Sequence, residues 1–197
     1  MKSGPGIRRA LAAALVLTVC AGAPRAASII APTFDTMIAR AQHVFVGQAL
    51  DVRSRWVSTS SGPAIVTVVT FKVVRTLKGE LGAQTQLEFL GGTVGEYRLE
   101  VPGTPRFRVG DEDVLFVDER GQPVSPVVGF MHGRFRVLEE PATRRRSVAR
   151  HNFEPLASVR DIGASTPPAR VSSARALTLA AFEDEIAREV RRQREAR

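Results

Sequence analysis

The chain has one cysteine, Cys20, among its 197 residues, so no internal disulfide can form. Three histidines, His43, His132 and His151, are scattered without His-x-x-x-His spacing, whereas a zinc site needs clustered His, Cys or carboxylate ligands. No apolar run approaches the roughly 20 residues that span a bilayer. No Gly-x-Ser-x-Gly elbow is present to present a serine nucleophile. Gly91-Gly92-Thr93-Val94-Gly95 is followed by neither Lys-Ser/Thr nor a helix, so it reads as a turn and not as a phosphate loop. Asp111-Glu112-Asp113 falls short of the six to eight oxygens that calcium takes, and reads as a solvated turn. No repeat with a period of 20–50 residues is visible, which excludes solenoids and propellers. These absences leave no recognisable catalytic centre and imply no cofactor.

What the chain does have is an export signal. Lys2, Arg8 and Arg9 precede an uncharged apolar run of 14 residues, Ala10 to Ala23, and small residues follow at Ala26-Ala27-Ser28. That order is the one a secretory signal peptide takes, and the run is too short for a stable membrane anchor. Pro24 would follow a cut after Ala23, and its locked ring makes a poor neighbour for the scissile bond. Cleavage after Ala26 or Ala27 is therefore expected, with residues 1–26 assigned to the signal peptide and the destination the periplasm or the medium. Removing Lys2, Arg8, Arg9 and Arg25 leaves 24 basic residues against 20 acidic ones, and removes Cys20 as well. A net charge of +4 spread along an exported chain does not support nucleic-acid binding.

The remainder divides into a β-rich domain over 27–138, a hairpin and Pro/Arg/Ser-rich linker over 139–176, and a helix over 177–197. Thr33 to Gln42 reads as a short helix with Phe34, Ile38 and Ala41 on one face. Strands are expected over His43–Arg53, Ala64–Leu77, Thr85–Leu90 and Asp113–Val117, with the last ones between Val127 and Val137. Gly91–Gly95 is expected to be a flexible connection, and Glu96 to Val101 a segment that can pair. Thr178 is a good N-cap, and Leu179, Phe182, Ile186 and Val190 form a narrow apolar stripe. That stripe suits either docking on the domain or seating in a partner's groove. Arg144-Arg145-Arg146 reads as a solvated hairpin arm. Five principal strands after one short helix lead to a mainly β fold: a five-stranded OB-like Greek-key barrel with a short N-terminal helix and a C-terminal amphipathic helix.

The run "ARAQHVFVGQALDVRS…IVTVVTFKVVRTLKG…TQLEFL" between Ala39 and Leu90, with the later "FRVGDEDVLFVDERGQPV", resembles the netrin-like OB domain of tissue inhibitors of metalloproteinases. The resemblance covers Pro32 to Val137 and rests on apolar positions and turns, Lys78-Gly79 among them. It implies a zinc metalloprotease as the protein partner. In that family a disulfide-stapled N-terminal cysteine grips the target's zinc through its α-amine and carbonyl. This chain lacks those cysteines. With Val44-Phe45-Val46 set on the first barrel strand, Ala27 takes the place of that cysteine, and an α-amine freed there with pKa ~7.7–8 would be partly neutral at pH 7. Ala27, with Ser28, Ile29 and Ile30 beside it, is thus the implied inhibitory edge, and Thr93 and Val94 belong to the connection that lies next to it in the family. The expectation is an exported, non-enzymatic protein-binding module, with metalloprotease inhibition as its sharpest form. A cell-envelope interaction or scaffolding protein without inhibitory activity is the alternative.

Overall fold

The computed structural model describes residues 31–120, 124–164 and 171–196. The expected signal peptide and the edge Ala27–Ile30 lie outside them. Chain order is α1 (Phe34–Arg40), β1 (His43–Thr59), β2 (Gly62–Lys78), β3 (Gln84–Leu90), β4 (Gly92–Val94), β5 (Tyr97–Leu99), β6 (Glu112–Val117), β7 (Arg134–Glu139), β8 (Arg146–Ala149) and α2 (Leu179–Glu195). Six strands form one antiparallel sheet in the order β3-β2-β1-β6-β7-β8, and β4 pairs with β5 in a separate ribbon.

β1 and β2 are each 17 residues long and joined by only Ser60-Ser61, with Gly62 at φ +112°. The density of β-branched residues in β2 suits a long extended strand, and the Ser60-Ser61-Gly62 segment closes a tight hairpin onto β1. Register shifts between Val44 and Phe45, Val46 and Gly47, and Ala49 and Asp51 interrupt the pairing, and such bulges bend a strand. β6 follows β1 only along His43–Gln48 and β3 follows β2 only along Val66–Lys72, so the tip of the hairpin, from Trp56 to Ile65, extends past both neighbours. At the other end of the hairpin Lys78 turns through Gly79 at φ +76°. A Cβ there would come within 2.5 Å of His43 Nδ1, so Gly79 answers both a backbone and a space requirement.

The sheet buries both faces. Val44, Val46, Val114, Phe116, Phe135 and Val148 pack against α1 and α2, while Phe45, Phe71, Phe89, Leu115 and Val117 meet Phe107 and Val127 on the other side. Each of the four stripe residues of α2 is buried, and Thr178 Oγ1 accepts a hydrogen bond from the Ala181 N–H at 3.2 Å, as an N-cap should. The helix docks on the sheet.

The expected five-stranded barrel is not formed: there are eight strands among the described residues, and the large sheet does not close. The far edge explains why. The Val148 N–H donates to the Leu177 carbonyl, and the Leu156 N–H donates to the Val148 carbonyl. Bridges Ser147↔Thr178 and Ala149↔Pro155 complete the cover, so β8's hydrogen-bonding groups are taken by the approach to α2 and not by β3. The arginine triplet helps to hold that edge. Arg145 donates to the Ser173 and Ala176 carbonyls, Arg146 pairs with Glu112, and Arg144 with Glu139.

Phe182 has no exposed surface, and its ring lies 5.1 Å from that of Phe135 and 6.3 Å from that of Phe116. Phe182→Ala is expected to cost about 3–5 kcal/mol in urea unfolding, while Arg188→Ala on the exposed face changes stability by less than about 0.5 kcal/mol. A loss below about 1 kcal/mol for Phe182→Ala would contradict the docked position of α2.

Candidate functional site

After β3 the chain doubles back across the long hairpin, and two glycines permit it. The Gly91 N–H donates to the Ile65 carbonyl at 2.8 Å, and Gly91 and Gly92 take φ of +106° and +141°. A Cβ on Gly92 would stand 2.4 Å from both Ser54 Oγ and Thr67 Oγ1, so only glycine lets the ribbon lie this close. Those hydroxyls lie 3.0 Å apart, Thr67 Oγ1 donates to the Gly91 carbonyl at 2.7 Å, and Ser54 Oγ accepts from the Thr93 N–H at 3.3 Å. The segment expected to be a flexible connection is therefore a fixed strand, β4, hooked onto β1 and β2.

This placement brings together the chain's one tryptophan and one tyrosine. Trp56, on β1, and Tyr97, on β5, meet edge to face with ring centroids 5.5 Å apart. Both stay open to solvent, at 46% and 66% exposure. Beside them a cleft of about 270 Å³ runs between ribbon and hairpin, with Ser54, Thr67, Thr93, Arg98 and Phe89 among its walls and Phe107 closing one side. Glu100 on its rim pairs with Arg106 and Arg98, which hold its carboxyl below the ordinary range.

Thr93 is exposed and lines this cleft, and Val94 is half-buried opposite Tyr97. Ala31, the first described residue, lines a different pocket with His132, Phe135 and His151, and that pocket shares no residue with the cleft. The sequence reading missed Trp56, Tyr97 and Arg98. Their signal was present, since Trp56 lies in a stretch (Arg53–Ser58) with no apolar alternation to bury it. Among the described residues, no group of three or more His, Cys, Asp or Glu is placed to hold a metal ion. Compared with protein-family models, curated proteins and solved structures, the chain matches none.

A buried ionic cluster sets the floor of the neighbouring loop. Arg134 on β7 is 3% exposed, and its Nε and Nη2 grip the two Asp113 oxygens at 2.9 Å each. Nη2 also meets Asp111 Oδ2 at 2.9 Å, Nη1 donates to the Arg106 carbonyl, and the guanidinium lies 4.0 Å from the centre of the Phe107 ring. Arg136 pairs with Asp111 Oδ1 at 2.8 Å. Burial pushes the Asp113 carboxyl up against the pull of Arg134. For Asp111 burial acts the same way, but the Arg108 N–H and the two arginines outweigh it and bring the carboxyl below its usual value.

His132 and His151 meet edge to face, with ring centroids 5.5 Å apart. Burial first, then His132 and the nearby Arg150, lower the His151 pKa below its ordinary 6.5, against the weaker pull of Glu154. A histidine harder to protonate when folded gives the unfolded chain more bound protons below that value, so stability falls as pH drops below about 6.5. Urea unfolding across pH 7 to 5 should show a steeper loss of stability with falling pH in the parent than in His151→Gln, the carboxylates being common to both. Equal slopes would contradict the assignment.

Proposed function

We propose that the chain is an exported, non-enzymatic protein-binding module that engages its partner through Trp56, Tyr97 and the adjoining cleft. The observation that carries this reading is the exposed Trp56–Tyr97 pair. Large aromatic side chains bind strongly where a partner can desolvate them, and Trp and Tyr are over-represented among residues that dominate interface energy. Here the pair is presented by strands that are themselves fixed, through the Ser54–Thr67–Gly91 hydrogen bonds, so little conformational freedom is lost on binding. Thr93 and Arg98 add polar groups at the edge, where they can set orientation.

In the narrower form that the netrin-like resemblance implies, the partner is a zinc metalloprotease, and Ala27, with Ser28, Ile29 and Ile30, forms the contacting edge. A Cβ on Gly129 or on Gly163 would come within 2.7 Å of Pro32, so two glycines make room for the chain at its entry to the fold.

The test is a paired capture from the organism's culture medium and periplasmic extract with immobilised wild type and with Trp56→Ser/Tyr97→Ser. A partner retained at fixed stoichiometry by the wild type, and at least about tenfold more weakly by the double variant, fits the proposal. Equal retention by the two contradicts it. If the captured partner is a zinc protease, a chain starting at Ala27 should inhibit it and one extended by Met-Gly should not. Retention without inhibition places the chain with the scaffolding alternative.

A further inference from the structure

We propose that a second cleft, sharing Thr104–Phe107 with the first, binds a carboxylate borne on an apolar group. This cleft has a volume of about 520 Å³, within the range of about 300–1,000 Å³ usual for small-ligand sites. It is lined by Arg108, Asp111, Arg134, Arg136, His151 and Phe153, with Met131 and Pro105 adding apolar wall.

Three polar groups in it point to an acceptor. Arg136 Nε and Thr104 Oγ1 are both buried without a hydrogen-bond partner among the described residues, although buried donors are almost always satisfied. The Arg108 guanidinium makes no side-chain hydrogen bond or ion pair among the described residues, and it stands at the opening. The other cations are committed. Arg134 spends its donors on Asp113, Asp111 and the Arg106 carbonyl, and Arg106 pairs with Glu100. A carboxylate entering the cleft faces the Arg108 guanidinium, and a small shift of the Arg136 and Thr104 side chains would let it also accept from Nε and Oγ1, giving the charge-assisted hydrogen bonds that bind such groups best.

The walls decide the rest of the ligand. The Arg136 guanidinium is stacked 4.2 Å from the centre of the Phe153 ring. Phe153 is held at φ +68°, a conformation rare for a bulky residue, and its ring is 56% exposed at the cleft. An apolar body would cover this ring. Asp111, in the same cleft, works against a dianion such as phosphate and leaves a single negative charge as the better match. A free organic acid and the C-terminus of a polypeptide share this chemistry.

The test uses the uniformly ¹⁵N-labelled chain from Ala27 to Arg197 and follows the Arg136 Nε–Hε resonance. N-acetylphenylalanine should shift it saturably, and N-acetylphenylalaninamide should not. Arg108→Gln should weaken the acid's binding about tenfold, the loss expected for one charge-assisted hydrogen bond. Trp56→Ser should leave it unchanged, which separates this site from the aromatic surface. A ten-residue peptide ending in phenylalanine that binds as well as the free acid assigns a polypeptide C-terminus, and weaker binding assigns a small acid. Equal shifts from acid and amide, the same shift from acetate at equal concentration, or wild-type affinity in Arg108→Gln would overturn the proposal.

Discussion

Arg134 is the constraint on which the rest of the structure depends. It begins β7 opposite Leu115 of β6, and its fork reaches along the sheet to Asp113 and beyond it to Asp111 in the turn before β6. The same guanidinium holds the Arg106 carbonyl and the face of the Phe107 ring. Phe107 then packs at 5.2 Å against Phe71 and at 5.1 Å against Phe89, the aromatic centre of the core on the side away from the helices. One buried cation thus ties the middle of the sheet to the β2–β3 edge by way of a loop that has no regular structure of its own. A buried ion pair is weak evidence for net stability, because desolvation offsets most of its attraction. Its effect is to specify where the loop goes, and both clefts are built on that loop.

The two clefts share Thr104, Pro105, Arg106 and Phe107. On one side this loop closes the cleft beside Trp56 and Tyr97. On the other it faces Arg136, His151 and Phe153. Arg106 reaches Glu100 on the rim of the first cleft while its carbonyl is held by Arg134 beneath the second.

Local pattern made much of the fold legible. The 3.6-residue stripe Leu179, Phe182, Ile186 and Val190, with Thr178 ahead of it, located α2 and its buried face. Alternation located the first part of β1, dense β-branched residues located β2, and the apolar run DVLFV located β6. Closure was not legible, because it depends on what covers the last edge. β8 lies in the expected hairpin, but its further partners Pro155 and Leu156 come from the stretch whose Pro, Arg and Ser content reads as linker, and Leu177 from the start of the expected helix. Glu96–Val101 was legible as a pairing segment and supplies β5, but its partner β4 was not, since Gly91-Gly92 signals freedom in a sequence while here it answers a 2.4 Å approach to Ser54 and Thr67. Of the anticipated contact residues, Thr93 lines the aromatic cleft and Val94 backs it, but the clefts themselves join residues 40 or more positions apart. Arg134 illustrates the difficulty. Nothing in "HGRFRVLEE" sets it apart from Arg136, and only the pairing of β6 with β7 brings Asp113 within its reach.

Hydrogen exchange on the Arg134→Met/Asp113→Leu double variant tests the organising role of Arg134 most directly. Removing both charges avoids a stranded buried ion, so the sheet should survive. The account predicts that amides in 103–111 lose protection relative to the parent chain while those of Ala64–Leu77 in β2 keep theirs. Unchanged protection in 103–111 would contradict it, because the loop would then be held by something other than Arg134.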